Sequence, residues 1–150
     1  MVDDTYIRAR IDATHYLGRL LKDAGVPIVE PPGSHAIFLD AKRFLPHIDQ
    51  EQYPAQALAA AIYEKSGIRT MERGNVSKGR DPKTGKNYKP ALELVRLTIP
   101  RRVYTHNHME MVAATVIDLF KNRETINGLK FSYEPPVLRF FQGRFEPLKS

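Results

Sequence analysis

"ELVRLTIP", residues 93–100, is the stretch on which the fold turns. Leu94, Arg96 and Thr98 alternate with Val95, Leu97 and Ile99, the period of two that marks a strand with one apolar face. The opposite face carries a single charge. An unpaired charge is very costly to bury, so Arg96 stands either on a solvated face or beside a partner. If it is buried, its planar fork suits a carboxylate. A strand of this kind needs neighbours in a sheet and a layer of helices over its apolar side.

Upstream of it, "IRTMERG" (68–74) reads as a second strand and "HAIFLDA" (35–41) as a buried one. "VPIVEPPGS" (26–34) reads as a short strand closed by a rigid Pro-Pro-Gly turn, and "KRFLPHIDQEQY" (42–53) as a polar connection. Residues 3–24 keep a helical period through Ile7, Ile11, Leu17, Leu20, Leu21 and Ala24, with Asp3 or Asp4 as a cap and Gly25 as the stop. Pro54 suits the first position of an Ala-rich helix that Gly67 ends. "DPKTGKNYKP" (81–90) has the turn pairs of a hairpin tip.

Downstream, Thr105 can cap a helix whose apolar stripe is Met109, Val112, Ala113, Val116, Ile117 and Phe120. "GLKFSYEPPVLRFFQGRF" (128–145) closes the pattern as strand, turn and strand. Phe140 and Phe141 are adjacent there, so their rings are expected on opposite faces, one toward the core and one toward a pocket or partner. The fold class is α/β with α+β character: a small mixed sheet with helices packed on one side, forming a single domain over 1–150.

The hydrophobic fraction of 42% suits a globular chain, and no apolar run approaches the roughly 18 residues of a membrane span. "MVDDTYIRAR" lacks the apolar region of a signal peptide. With no cysteine there is no thiol nucleophile and no zinc–thiolate site, which fits a reducing cytoplasm.

The net charge of +6 is not spread evenly. Residues 69–102 hold ten Lys/Arg against three acids, a net +7, and the remainder sums to −1. The centre of this segment, "MERGNVSKGRD" (71–81), lacks the spacing of a phosphate-binding P-loop and leads into a proline turn. Lys78, Lys83, Lys86 and Lys89 read as a solvated basic loop. Aromatic residues are not interleaved as stacking platforms, which argues against nucleic acid as a partner. His106 and His108 lie two apart at a helix start and do not face one another, so "HNH" is no metal site. His35 is open between a turn histidine and a site residue.

Several of these stretches resemble the C-terminal region of the aromatic amino-acid β-eliminating lyases, the pyridoxal-phosphate family of tyrosine phenol-lyase and tryptophanase. They are "GSHAIFLDAKRFLPHI", "YPAQALAAAIYEKSGIR", "MERGNVSKGRDPKTGK", "LVRLTIPRRVYTHNHM" and "GLKFSYEPPVLRFF". The resemblance runs in order along essentially the whole chain. "MERG" and "PRRVYT" look like the phenol-lyase branch, and "GRDPKTGK" is nearer the tryptophanase pattern. Ser34 departs from the second glycine usual before the histidine.

What the resemblance implies is specific. Arg96 matches the arginine that pairs with the substrate α-carboxylate, and Arg73 the arginine that faces a phenolic ring. Met71, Phe140 and Phe141 match residues lining the ring pocket, and His35 a histidine near the active site. The fold would be that of the small domain of fold-type-I pyridoxal-phosphate enzymes. The cofactor lysine, phosphate cup and pyridine-nitrogen aspartate match nothing here and belong to a large domain upstream. A monovalent cation is a further expectation for the full enzyme. The chain is thus expected to be an excised domain, a truncated product or one piece of a split enzyme. Its partners would be an aromatic amino acid, a large domain or parent chain, and further copies of itself. The alternatives are a tryptophanase-type domain and a binding or assembly module without catalysis.

Overall fold

The computed structural model describes residues 4–100 and 103–148. β3 (Leu94–Thr98) is the middle strand of a three-stranded sheet, with β1 (Ala36–Asp40) on one side and β2 (Met71–Arg73) on the other. Both pairings are antiparallel: Ile37 faces Leu97, Leu39 faces Val95, and Met71 faces Arg96. The alternation in "ELVRLTIP" therefore sorts as expected. Val95, Leu97 and Ile99 are buried with Ile37 and Leu39, while Arg96 stands on the other face.

Three helices cover the apolar face. α1 (Asp4–Asp23) contributes Leu17 and Leu21, α3 (Pro54–Ser66) contributes Leu58 and Ile62, and α5 (His106–Lys121) contributes Met109, Ala113 and Val116. Each of the larger side chains stabilises the fold by roughly 1.5–3 kcal/mol relative to exposure. α3 starts on Pro54, whose missing N–H costs nothing at that position, and ends at Gly67, φ 72°, where a side chain would be strained. Asp3 as a cap for α1 lies outside the described residues. At α5 the Thr105 N–H donates to His108 Nδ1 at 3.2 Å, and His106 stacks on Tyr16 with ring centres 4.7 Å apart. The "HNH" histidines thus cap and pack a helix.

The stretch 42–53 is more than a polar connection. Asp40 accepts from the Arg43 N–H at 3.1 Å and starts the helical turn α2 (Ala41–Phe44), which returns Phe44 and Leu45 to full burial. The capped turn, not the polar majority, sets the path. The strand read at 26–34 contracts to one bridge, Ile28 with Leu39, flanked by Val29 N–H to the Phe38 carbonyl at 2.9 Å.

The α+β class holds, and strand pairing among the described residues is antiparallel throughout instead of mixed. A second sheet pairs β4 (Leu129–Tyr133) with β5 (Arg144–Pro147). Between them lies a further correction. Phe140 and Phe141 sit in a helical turn, α6 (Arg139–Gln142), with their rings in edge contact at 4.9 Å. Neither joins the core: Phe140 is half-buried and Phe141 is 75% exposed. The turn exists because Arg139 is held by distant carbonyls, a pull that local alternation does not contain.

Candidate functional site

The uncovered face of the three-stranded sheet is built by the register. Phe38, Arg96 and Met71 form one cross-strand row, and Arg73, two residues beyond Met71, shares that face opposite Leu94. Arg96 is half-buried, and its Nε–H, fully shielded from water, finds no acceptor. A buried donor left unmade costs about 1–3 kcal/mol and more when charged, so Arg96 carries an unspent donor on this face. Arg10 has a similarly shielded Nε, but its terminal nitrogen reaches the Ile99 carbonyl at 3.5 Å. Arg73 is exposed on the same face.

A groove of about 840 Å³ brings Met71, Arg73, Phe140 and Phe141 together. A neighbouring cleft of about 630 Å³ shares Met71 and both phenylalanines and adds Tyr63 and Arg69. Four of the six residues singled out in the sequence thus converge, although α6 and β2 are far apart along the chain. Arg96 joins them through its row with Met71, outside the groove itself. His35 is exposed just before β1, bound through its carbonyl to the Ile99 N–H at 2.9 Å, and lines neither depression.

Beneath this surface lies a polar floor that the sequence reading passed over. Glu72, between Met71 and Arg73, points inward and accepts from the Val76 and Ser77 N–H groups at 3.1 and 2.9 Å. These bonds start the short helix α4 (Asn75–Lys78) directly behind Arg73. Burial raises the Glu72 pKa. Glu93 is also fully buried. Burial first, then the neighbouring Glu72 charge, raises its pKa to about 7. One of its oxygens accepts from Gln50 Nε2 at 3.0 Å, and the other has no partner. A Cβ at position 74 would lie 2.1 Å from that free oxygen, so any larger residue there would have to displace the Glu93 carboxylate. The signal for Glu93 was present, since it shares the period of Val95, Leu97 and Ile99.

Arg139 and Glu134 complete the floor. Arg139, 9% exposed, donates to the Asn75 and Val76 carbonyls, to Asn87 and to Glu134. Glu134 also takes two bonds from Arg80, at 2.8 and 2.7 Å. Arg80 first, and then Arg139, holds its pKa below the usual carboxylate range. The hairpin expected at 81–90 forms here, with Arg80 bridged to Asn87. Lys78, Lys83, Lys86 and Lys89 are exposed, in line with a solvated loop. No described helix is long and apolar enough to cross a membrane.

Comparison with known proteins adds to this geometry. The family model described as beta-eliminating lyase matches residues 1–115. A tyrosine phenol-lyase of Symbiobacterium sp. (strain SC-1) is 64% identical over 148 residues, 99% of this chain and 32% of that protein. One from Clostridium tetani is 64% identical over 94% of this chain and 31% of its own length. One from Nostoc punctiforme is 61% identical over 97% and 31%. The chain therefore spans about a third of the length of these curated relatives.

Proposed function

The chain belongs to the beta-eliminating lyase family, and from that premise we propose that it is the substrate-gripping small domain of a tyrosine phenol-lyase-like enzyme. The carrying observation is the shielded, acceptor-free Arg96 Nε on the sheet face that also presents Met71 and Arg73. Arg96 takes the α-carboxylate of an aromatic amino acid through a bidentate pair, which fixes how the rest of the substrate is turned. Met71, Phe140 and Phe141 form the wall for the ring, and Arg73 donates to a phenolic hydroxyl. Closure of this domain over the larger remainder of the protein would shed water from both contacts and strengthen them.

Pyridoxal phosphate, the cofactor of this family, supplies an electron sink for the substrate Cα. The residues present do not by themselves fit it, because every described lysine is exposed, including Lys86 and Lys89, which border a depression of about 620 Å³ beside the hairpin. This chain's share is grip and orientation. The cofactor, with any monovalent cation, falls to the two-thirds of the relatives' length that this chain does not span.

The test replaces the matching C-terminal third of the Symbiobacterium tyrosine phenol-lyase with this chain and measures elimination. Arg96→Ala should lower kcat/KM about a hundredfold or more on every amino-acid substrate, tyrosine and S-methylcysteine alike. Retained activity would put Arg96 on a merely solvated face and sink the reading.

A further inference from the structure

The ring-facing residues come from two segments with no local reason to stay in register. Met71 and Arg73 ride on β2 and the α4 turn, whereas Phe140 and Phe141 ride on α6, more than sixty positions along the chain. One side chain joins them. Arg139 immediately precedes the two phenylalanines and spends its whole guanidinium on bonds to other segments. Nε reaches the Val76 carbonyl at 2.9 Å, and one terminal nitrogen reaches the Asn75 carbonyl at 2.5 Å. The other terminal nitrogen reaches Asn87 at 2.9 Å and Glu134 at 2.7 Å. Its guanidinium carbon also lies 5.5 Å from the centre of the Phe131 ring.

The backbone beside it is strained. Leu138 has φ 56°, a left-handed conformation that costs a branched residue free energy unless the surroundings impose it. Leu138 and Arg139 both line the groove. A strained residue next to a buried arginine bonded through all three of its nitrogens marks a turn held in place by tertiary contacts.

We propose that Arg139, braced by Glu134 and Arg80, is a positioning residue that sets the spacing between the Met71–Arg73 edge and the Phe140–Phe141 wall, and so tunes which leaving group the site accepts. The proposal rests on the reading of that groove as the ring site. Arginine is needed because a lysine keeps the charge but offers a point contact, and cannot span two carbonyls and two side chains at once. Small leaving groups do not touch the wall and are indifferent to the clamp. A ring wedged between the two edges is not, since misplacement by about 1 Å costs up to a hundredfold.

Two measurements decide it. In the 150-residue chain, Arg139→Lys should speed amide hydrogen exchange about tenfold across both 75–78 and 140–142 while 94–98 is unchanged. In the chimeric lyase the same variant should lose about tenfold or more in kcat/KM on tyrosine, and stay within about twofold on S-methylcysteine. Glu134→Gln, which keeps the shape and removes the brace, should show both effects at smaller size, and serves if Arg139→Lys fails to fold. Unchanged exchange at 75–78 overturns the clamp. Equal losses on the two substrates also overturn it, because Arg139 would then be general scaffolding. If the unmutated chimera eliminates neither substrate, it is the proposed function that fails, and the exchange result still decides the clamp.

Discussion

The two faces of the three-stranded sheet are made by different physics. On the helix side, Val95, Leu97, Ile37 and Leu39 meet Leu17, Leu58 and Val116, and the contacts are apolar and non-directional. On the groove side, Arg96 and Arg73 share the open face, and Arg73 lines the groove with Arg80, Glu134 and Arg139, where the contacts are charged and directional. Glu72 and Glu93 back that surface from the buried side they share with Val95. The first face stabilises the fold. The second holds one donor, Arg96 Nε, unpaired and the backbone strained at Leu138, both of which cost stability. Substitutions should separate the two.

Leu58→Ala removes a fully buried side chain from the helix side and should cost about 2–5 kcal/mol, read from the midpoint of urea unfolding. A loss under about 1 kcal/mol would mean that this face is loosely packed and that the contrast is overstated.

On the floor, Glu93 should make stability depend on pH. Its carboxyl ionises near 4.5 when unfolded and near 7 when folded. Between those values the unfolded chain sheds a proton that the folded chain keeps, so the Glu93 contribution to stability falls as pH rises through the window and is level outside it. The drop should be roughly 1–3 kcal/mol, allowing for partial screening, and Glu93→Gln should flatten it. A Glu93→Gln curve running parallel to the wild type between pH 4.5 and 7 would show that Glu93 ionises as freely folded as unfolded.

The smallest effect on stability belongs to the open face. Arg73→Val removes an exposed side chain and should shift unfolding by less than about 0.5 kcal/mol. A large shift would make Arg73 part of the scaffold.

What could be read in the sequence follows the same division. β1, β3, α3 and α5 were legible because each signal lies within a short window: alternation around Arg96, Pro54 and Gly67 as helix ends, Thr105 as a cap. Phe44 escaped because the polar residues around it mask a turn whose cap, Asp40, belongs to the preceding strand. The turn at Phe140 and Phe141 escaped because its cause is Arg139 reaching Asn75 and Val76, a tertiary contact that no local window contains. Glu93 was legible and missed, since its place in the apolar period of β3 marked it as buried. For Arg96 the sequence posed the alternatives, and only the register, with Met71 on one side and Phe38 on the other, shows which groups surround it. His35 remains the residue whose proposed role has least geometric support, standing outside both depressions.

The proposed function turns on "MERG" presenting Arg73 to a phenolic hydroxyl. A site built to bond a polar group rejects a partner that leaves it unpaired, often by several orders of magnitude, and the converse loss follows when the donor is removed. The direct measurement is kcat/KM of the Arg73→Val chimera on tyrosine and on S-methylcysteine. Tyrosine elimination is expected to fall by at least about a hundredfold while S-methylcysteine, whose leaving group needs no help from a ring contact, stays within about threefold. Equal losses on both substrates would contradict it, and Arg73 would lose its role in recognising the ring.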